Sequence, residues 1–384
     1  MTKPDLVVVG AGIFGLTIAE RVATQLGKKV LIIEKRPHVG GNAYSEFDEE
    51  TGIEVHKYGA HLFHTSSAEV WLYVNSFAKF TSYQHRVYAV HGGEVFPLPI
   101  NLGTINQFFH AAYSPKEARE EILKQSAIAP KNPKNLRDKG ISLIGKPLFE
   151  AFIMNYTAKQ WQTPAEELPA DIITRLPVRY NYNNRYFNDV YEGLPKDGYA
   201  MLFKKMLEAC GDKVEIRLRT DYLSSTELRK MAAEGTLVIF TGPIDQFYNY
   251  RFGELAWRSV EFKMEKLSLA DYQGCAVMNY VDSIVPYTRI IEFKHFNPER
   301  KLKKPEKTII AREFSKTWEL GKEPYYPVRT KNNLDKLKKY QELAQQEKNV
   351  IFGGRLGEYA YYDMDETFKR ALEVFQKFVK PRLI

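Results

Sequence analysis

The sequence predicts an α/β fold, in which a discontinuous parallel-sheet domain carries an inserted helical domain and an antiparallel β-sheet domain. Two observations predict the parallel-sheet domain: a glycine-rich βαβ pattern opens the chain, and a second strand, glycine loop and helix follow residue 350. Between them the hydrophobic pattern changes to helical and then to strand-like periodicity. With 384 residues, of which 44% are hydrophobic, the chain is long enough for two or three domains.

The βαβ pattern begins with the apolar run 6–9, which leads into Gly10, Gly12 and Gly15. Gly10 permits a tight turn, Gly12 lets backbone amides approach a pyrophosphate, and Gly15 lets the helix lie close to its strand. Glu34 ends the second apolar run, where a carboxylate accepts hydrogen bonds from ribose hydroxyls and disfavours a 2′-phosphate. The pattern predicts bound FAD or NAD at the first helix N-terminus. A βαβ unit without ligand is the alternative.

A second glycine pair indicates which dinucleotide is expected. Gly40 and Gly41 follow Glu34 after five residues, where the chain leaves the second strand. This arrangement resembles the extended signature of flavoproteins, in which the loop passes beside the FAD pyrophosphate. Near residue 350, an apolar run leads into the glycine loop 353–357 and an amphipathic helix. In FAD proteins of this class such a segment closes over the flavin; a glycine-rich turn before a core helix is the alternative.

The segments that return to the βα pattern predict one discontinuous, Rossmann-like FAD-binding domain. We assign to it residues 1–80, 200–260 and 345–384. Residues 100–165 are typical of a helical domain, with one helix expected over 141–156. The remaining segments are rich in Tyr, Phe, Val and Thr, which favours antiparallel strands and loops of a substrate domain. That sheet domain comprises 81–99, 166–199 and 261–344.

Composition excludes several classes of protein. The 55 Lys and Arg exceed the 47 Asp and Glu and give a net charge of +8, but the excess is spread along the chain. We therefore expect a polyanionic small substrate and no nucleic acid. Cys210 and Cys275 show no C-x-x-C spacing, which is typical of a reduced cytoplasmic protein. No segment has the roughly 20 apolar residues of a membrane span.

The middle of the chain is rich in phenols and guanidiniums. Arginines bind diphosphate through bidentate donors, phenols add neutral donors, and aromatic rings stack on a base. Any single one of these side chains is more often structural, and Arg179 and Arg185 fit a surface or salt-bridge role equally well. His61 and His64 have no third ligand nearby, so no metal site is predicted. The strings concerned are 156–161, 175–180, 184–187, 286–289, 324–327 and 361–363.

Taken in order, these strings and the glycine motifs resemble the bacterial UDP-galactopyranose mutases. The likeness covers nearly the whole chain. It is carried by residues 9–15, 40–42, 59–65, 156–161, 175–180, 285–289 and 353–363.

The resemblance implies a noncovalent FAD that is active when reduced. In such enzymes the flavin N5 is the nucleophile at the anomeric carbon, and UDP-galactopyranose and UDP-galactofuranose interconvert without net redox change. It also implies an external reductant such as NAD(P)H, a cytoplasmic homodimer, and supply of galactofuranose for cell-surface polysaccharide.

The motifs and the resemblance together assign roles to single residues. Arg175, Arg289 and His61 are expected in catalysis, the arginines neutralising charge as UDP departs. Substrate contacts are expected from Phe152, Tyr156, Thr157, Trp161, Arg175, Tyr186, Arg289, Tyr326, Tyr361 and Asp363. Cofactor contacts are expected from Gly10, Gly12, Phe14, Gly15, Glu34, Lys35, Gly41, Asn42, His61, Leu62, Gly242, Arg355, Tyr361, Asp363 and Met364.

Two other functions remain compatible with the fold. One is an FAD-dependent, amine-oxidase-like oxidoreductase, against which the paired arginines stand, because they are too cationic for an amine substrate. The other is a nonenzymatic FAD- or nucleotide-binding protein. Against it stands a site assembled from several separated strings, more than retention of a ligand requires.

Overall fold

The computed structural model describes residues 3–175 and 178–384, without the side chains of Asp171, Thr174 and Arg175. Its strands are β1 Leu6–Val9, β2 Val30–Ile33, β3 Ser45–Phe47, β4 Glu54–His56, β5 Phe63–Thr65, β6 Val87–His91, β7 Glu94–Leu98, β8 Tyr191–Gly193, β9 Val214–Arg217, β10 Leu237–Phe240, β11 Trp257–Leu267, β12 Val277–Tyr280, β13 Arg289–Glu292, β14 Thr308–Thr317, β15 Tyr326–Pro327 and β16 Val350–Phe352. Its helices are α1 Ile13–Leu26, α2 Ala68–Asn75, α3 Leu102–Phe108, α4 Pro115–Ser126, α5 Leu136–Ile144, α6 Lys146–Phe149, α7 Asn155–Trp161, α8 Tyr199–Glu208, α9 Thr226–Ala233, α10 Ile244–Phe247, α11 Lys331–Ala344, α12 Gly354–Gly357, α13 Met364–Val374 and α14 Lys380–Leu383.

A parallel sheet forms the centre of the first domain. Its strand order is β16-β10-β1-β2-β9, and every neighbouring pair is parallel. The strands β1, β2 and β10 are buried almost throughout, as expected for strands covered on both faces. Helices α1 and α13 pack together, and Ile18, Val22 and Phe368 belong to the same apolar core. The predicted α/β class with a discontinuous Rossmann-like domain is confirmed.

The second sheet has the order β15-β11-β14-β13-β12-β6-β7. Its neighbours are antiparallel except β6 and β12, which run parallel with Ala89 opposite Asn279. The sheet predicted as antiparallel thus contains one parallel pair. A local pattern of alternating residues does not determine which distant strand becomes the neighbour.

The helical segment has its own apolar core, which includes Ile141, Leu148, Phe149 and Phe152. The prediction of a single helix over 141–156 is wrong, because the segment is divided between α5, α6 and α7. The chain leaves α5 at Gly145, where φ is 77° and an added Cβ would lie 2.6 Å from the Cβ of Gln125. Helix α6 then continues through a π-helical turn, Glu150–Met154, into α7. Such turns are frequent at functional sites.

Two further segments differ from the sequence interpretation. Residues 331–344, assigned to the sheet domain, form α11, whose Leu337 and Tyr340 pack against Leu255 and Trp257. In residues 166–199, the described part contains a 3₁₀ turn and β8 and is otherwise irregular. The domain boundaries themselves stay a prediction.

Candidate active site

The cofactor cleft lies at the carboxyl ends of the parallel strands, where such sheets bind nucleotides. It encloses about 1260 Å³ including its open mouth. Predicted cofactor residues that line it are Gly10, Gly12, Phe14, Gly15, Glu34, Lys35, Gly41, Asn42, His61, Gly242, Arg355 and Met364. Leu62, Tyr361 and Asp363 are not part of this lining.

Glycines let three backbone segments meet at the cleft. A Cβ on Gly15 would lie 2.0 Å from the carbonyl oxygen of Gly10, and one on Gly41 would lie 2.9 Å from the Cα of Gly12. No side chain caps the N-terminus of α1, so its first-turn amides are available to an anionic ligand. From the far end of the chain, Gly353 packs on Phe14, whose ring would lie 2.3 Å from an added Cβ. The backbone spacing thus fits a dinucleotide pyrophosphate.

Glu34 lines the cleft directly after β2 and is 5% exposed. Its carboxylate accepts the amides of Ala11 at 2.7 Å and Arg36 at 2.8 Å, which fixes its orientation. Arg36 donates to Asn42 and Glu323, and Lys35 lies 3.4 Å from the same Glu323 carboxylate. Burial raises the pKa of Glu323, but hydrogen bonds and charge from Arg36 outweigh it and hold the pKa below its usual value. The two cations are thus paired with Glu323.

His61 lines the cleft as a neutral imidazole. Burial, followed by the nearby His56, lowers the pKa of His61 to about 3. Its Nδ1 lies 2.7 Å from the carbonyl oxygen of Gly59 and must carry the proton, because a carbonyl only accepts. Nε2 therefore keeps its lone pair and serves as a hydrogen-bond acceptor. His64 lies elsewhere: it stacks on Phe187 and pairs with Asp189.

The arginine wall consists of Arg289, Glu313, Tyr156 and Tyr326. Arg289 Nη2 donates to the Tyr156 hydroxyl at 2.8 Å, and its buried Nε lies 3.1 Å from Glu313 without making a hydrogen bond. Burial opposes the charge of Arg289, but Glu313 and the surrounding phenols outweigh it and raise its pKa. Arg289 therefore stays cationic and keeps donors for an anion.

Arg355 joins the arginine wall to the cofactor cleft. Its guanidinium lies 5.8 Å from the Tyr326 ring and 5.2 Å from the Tyr361 ring, and these two rings stack on each other. Its Nη atoms donate to the carbonyls of Tyr325 and Tyr362. Burial raises the pKa of both Tyr326 and Tyr361, so each phenol remains a neutral donor. Asp363 caps α13 and shares a capping box with Glu366.

Helix α7 packs beside the arginine wall and carries the predicted base contacts. Thr157 is buried, and Trp161 packs partly against the helical core. Phe152, in the π-helical turn, is 1% exposed and contacts the rings of His91, Phe96 and Phe108. Its ring therefore belongs to the helical core in this conformation.

A loop held by Arg179 carries Tyr186. Arg179 is buried and donates to the carbonyls of Asn183 and Arg185 and to the Asn188 side chain, so the surface interpretation of Arg179 is wrong. Arg185 does form a salt bridge, with Glu192 at 3.0 Å. The Tyr186 amide donates to the His85 carbonyl, and the rings of Tyr186 and His85 meet edge to face. Arg175 ends the turn Ala170–Arg175, and its side chain lies outside the described residues.

Two residues beside the arginine wall escaped the sequence analysis. Arg258 and Asn279 are buried, and both Arg258 Nε and Asn279 Oδ1 have no hydrogen-bond partner among the described residues. Asn279 lies opposite Arg289 in the sheet, and Arg258 lies opposite Tyr326, so they share the wall's face. The sequence signal that could have identified Asn279 is the presence of an asparagine inside the apolar strand β12.

One group of metal-ligand type side chains meets within the described ranges: Asp271, Glu292 and His295. The buried Glu292 carboxylate already accepts from the amides of Tyr272 and Gln273 and from the Thr308 hydroxyl. This bonding explains the group without an ion. The group lies apart from His61 and His64.

Comparison with known proteins identifies the family. The family described as UDP-galactopyranose mutase matches residues 151–361. The chain belongs to this family. A NAD(P)-binding Rossmann-like domain matches residues 8–77.

Relatives and a solved structure extend this agreement over the whole chain. A probable UDP-galactopyranose mutase from Klebsiella pneumoniae is 44% identical, covering 99% of this chain and 96% of the relative. A dTDP-fucopyranose mutase from Escherichia coli is 39% identical and covers 98% of both chains. A crystal structure of reduced UDP-galactopyranose mutase matches with a TM-score of 0.75 at 15% identity, covering 99% of this chain and 95% of the other.

Membership in the family confirms the predicted resemblance, and the chain is an isomerase rather than an amine-oxidase-like oxidoreductase. The family and the fold imply a flavin cofactor. Within the described residues, no helix is both long and apolar enough to cross a bilayer.

Proposed function

We propose that this chain interconverts UDP-galactopyranose and UDP-galactofuranose with noncovalently bound, reduced FAD and no net redox change. One observation carries the proposal: the glycine-lined cofactor cleft opens beside the half-buried arginine wall, with Arg355 lining the cleft and lying over the Tyr326 ring. A cofactor and a nucleotide diphosphate can thus be held next to each other. In this role the enzyme supplies galactofuranose for cell-surface polysaccharide, acts in the cytoplasm as a homodimer, and takes electrons from NAD(P)H.

The wall's residues act on the diphosphate. Held at the glycines of the cofactor cleft, a bound reduced flavin would supply a nucleophilic nitrogen. Arg289 stays charged beside Glu313 and stabilises the negative charge that develops as UDP departs. Tyr326 and Tyr361 are neutral donors for the same oxygens, and we place Arg175 there as a second cation. UDP is a stable anion, so its departure needs cations more than a general acid.

His61 has a different role in this proposal. With a pKa of about 3 it carries no charge at neutral pH and donates no Nε2 proton. It orients the bound cofactor by accepting a hydrogen bond at Nε2. The residues Phe152, Tyr156, Thr157 and Trp161 hold the uridine side, and Tyr186 and Asp363 complete the substrate network.

A second substrate pair has a specific observation in its favour. The 39% identical relative from Escherichia coli acts on a dTDP-fucopyranose. The two pairs differ in the base methyl group, in the ribose 2′-hydroxyl and in the sugar C6 hydroxyl. A comparison of initial rates with UDP-galactofuranose and dTDP-fucofuranose decides between them; we expect kcat/KM to favour the UDP sugar.

The test starts with the absorption spectrum of the purified protein, which we expect to show FAD that denaturation releases intact. Product analysis from UDP-galactofuranose follows, with and without dithionite. We expect product only after reduction, and no product after reconstitution with 5-deaza-FAD, whereas 1-deaza-FAD retains activity. Robust turnover with reduced 5-deaza-FAD, or NAD(P)H consumed in proportion to product, contradicts the proposal.

A further inference from the structure

Lys159 on α7 directs its ammonium at a cluster of backbone carbonyls. The acceptors are the carbonyl oxygens of Tyr280 at 2.5 Å, Asp282 at 2.9 Å, Val285 at 3.0 Å and Tyr287 at 3.2 Å. Tyr280 ends β12, and the other three belong to the loop that joins β12 to β13. Because an ammonium has three N–H donors, four oxygens exceed what it can satisfy with separate bonds. The loop thus forms an oxygen cage around one cation.

This loop leads directly into Arg289. The Tyr280 amide donates to the Thr288 carbonyl, which closes the loop at its base. Tyr156, which accepts from Arg289, lies three residues before Lys159 and therefore near the same side of α7. Helix α7 is bonded to the β12–β13 hairpin at two points, one at the loop and one at the arginine.

The loop is also held from its other side. The Asp282 carboxylate accepts from His91 Nδ1 at 2.6 Å and from the Gly92 amide at 3.0 Å. The rings of Tyr280 and Tyr287 meet edge to face across the loop. Burial lowers the pKa of Lys159 to about 8, against the charge of Asp282, so the ammonium is charged at neutral pH.

We propose that Lys159 is a positioning residue that fixes the base-binding helix α7 relative to Arg289, so that base and diphosphate contacts act on one nucleotide. This role rests on the proposed function, because it assumes a nucleotide between α7 and the wall. Without the ammonium, four carbonyl dipoles converge with no cation between them. The loop then relaxes and Arg289 loses its fixed distance from α7.

The cage predicts chemical rescue, which general destabilisation does not. Lys159→Ala removes the atoms that n-propylammonium supplies. By calorimetric titration of the flavin-loaded protein at neutral pH, we expect the variant to bind UDP at least about tenfold more weakly, the loss of one charged contact. We expect n-propylammonium to restore binding to within about threefold of the wild type. Trimethylpropylammonium, which has the charge but no N–H donor, should not restore it.

Two further variants control the experiment. Lys294 also donates to backbone carbonyls, of Ala270 and Pro305, away from α7. Lys294→Ala should bind UDP as tightly as the wild type, and n-propylammonium should not change its affinity. Lys159→Met fills the space without a charge. This variant should bind UDP weakly, and n-propylammonium should not restore its affinity.

Unchanged UDP binding by Lys159→Ala overturns the proposal. A loss of UDP affinity that both n-propylammonium and trimethylpropylammonium restore, or that neither of them restores, also overturns it. If Lys159→Ala does not fold, Lys159→Arg is titrated with UDP instead, because arginine retains a cation at this position. A UDP affinity of Lys159→Arg as low as that of Lys159→Met overturns the proposal. Wild-type protein that binds UDP but converts no sugar nucleotide refutes the proposed function alone, since Lys159 is tested by binding.

Discussion

In the cofactor cleft the backbone itself forms the binding surface, whereas beside the arginine wall cationic side chains hold loops in place. The cleft uses glycines of three segments that approach one another to within atomic contact. Near the wall, Arg179 and Lys159 are each bonded to carbonyls of a loop that carries or precedes a site residue. Regular strands orient the cleft, and side-chain to backbone bonds orient the wall. Changes in the cleft should therefore affect cofactor retention, and changes in the wall should affect turnover.

The largest effect is expected from Gly15→Val in the cleft. A Cβ at this position would lie 2.0 Å from the Gly10 carbonyl oxygen, so α1 must move away from its strand. We expect flavin content below roughly a tenth of the wild type, measured by absorbance after purification. Gly27→Asn, at the open left-handed end of the same helix, is the control and should keep its flavin. A yellow, fully loaded Gly15→Val would contradict the role of backbone contact.

Arg289→Ala tests the wall. Loss of this cation should lower kcat/KM for UDP-galactofuranose by at least about a hundredfold, because its contact strengthens as UDP departs. Flavin content should not change. Arg312 is the matched control: it lies on β14 next to the wall's strand and pairs with Glu265, so Arg312→Ala should stay near wild-type rates. Near-normal turnover of Arg289→Ala at subsaturating substrate would remove Arg289 from the site.

Tyr156→Phe should have a smaller effect on the same wall. It removes one neutral acceptor from Arg289 Nη2 and leaves the ion pair with Glu313 intact. The expected loss in kcat/KM is about five- to tenfold, the value of one net hydrogen bond. Tyr113→Phe in the helical segment serves as control. A loss as large as that of Arg289→Ala would mean that Tyr156 contacts the reacting groups itself.

The smallest effect is expected from Glu323→Gln at the mouth of the cleft. It removes a partly exposed partner of Lys35 and Arg36, and FAD affinity should fall by about two- to threefold. Because the folded pKa of Glu323 is depressed, its stabilisation is present at neutral pH and is lost as pH falls through that pKa. The Tm difference between wild type and Glu323→Gln should therefore shrink between pH 7 and pH 3. A constant difference would contradict this assignment.

The sequence predicted the cleft better than the wall for a physical reason. Gly10, Gly12, Gly15 and Glu34 act through local geometry, which spacing along the chain reveals. Lys159 lies in a string noted for its aromatic residues, and nothing in that string shows that its ammonium reaches carbonyls more than a hundred positions away. The same holds for the parallel pairing of β6 with β12 and for the unpartnered Asn279. These features depend on which distant segments become neighbours.

The position of β16 has a consequence for how the protein is made. This strand joins the parallel sheet beside β10, with Val350 opposite Val238, and Gly353 then covers Phe14. During synthesis, helix α1 leaves the ribosome long before β16 and the glycine loop at Gly353 have been made. The nascent chain must therefore wait with an exposed sheet edge and an incomplete nucleotide cleft. Stable flavin binding thus requires β16 and the glycine loop that follows it, and we expect a protein truncated before Val350 to lose its flavin.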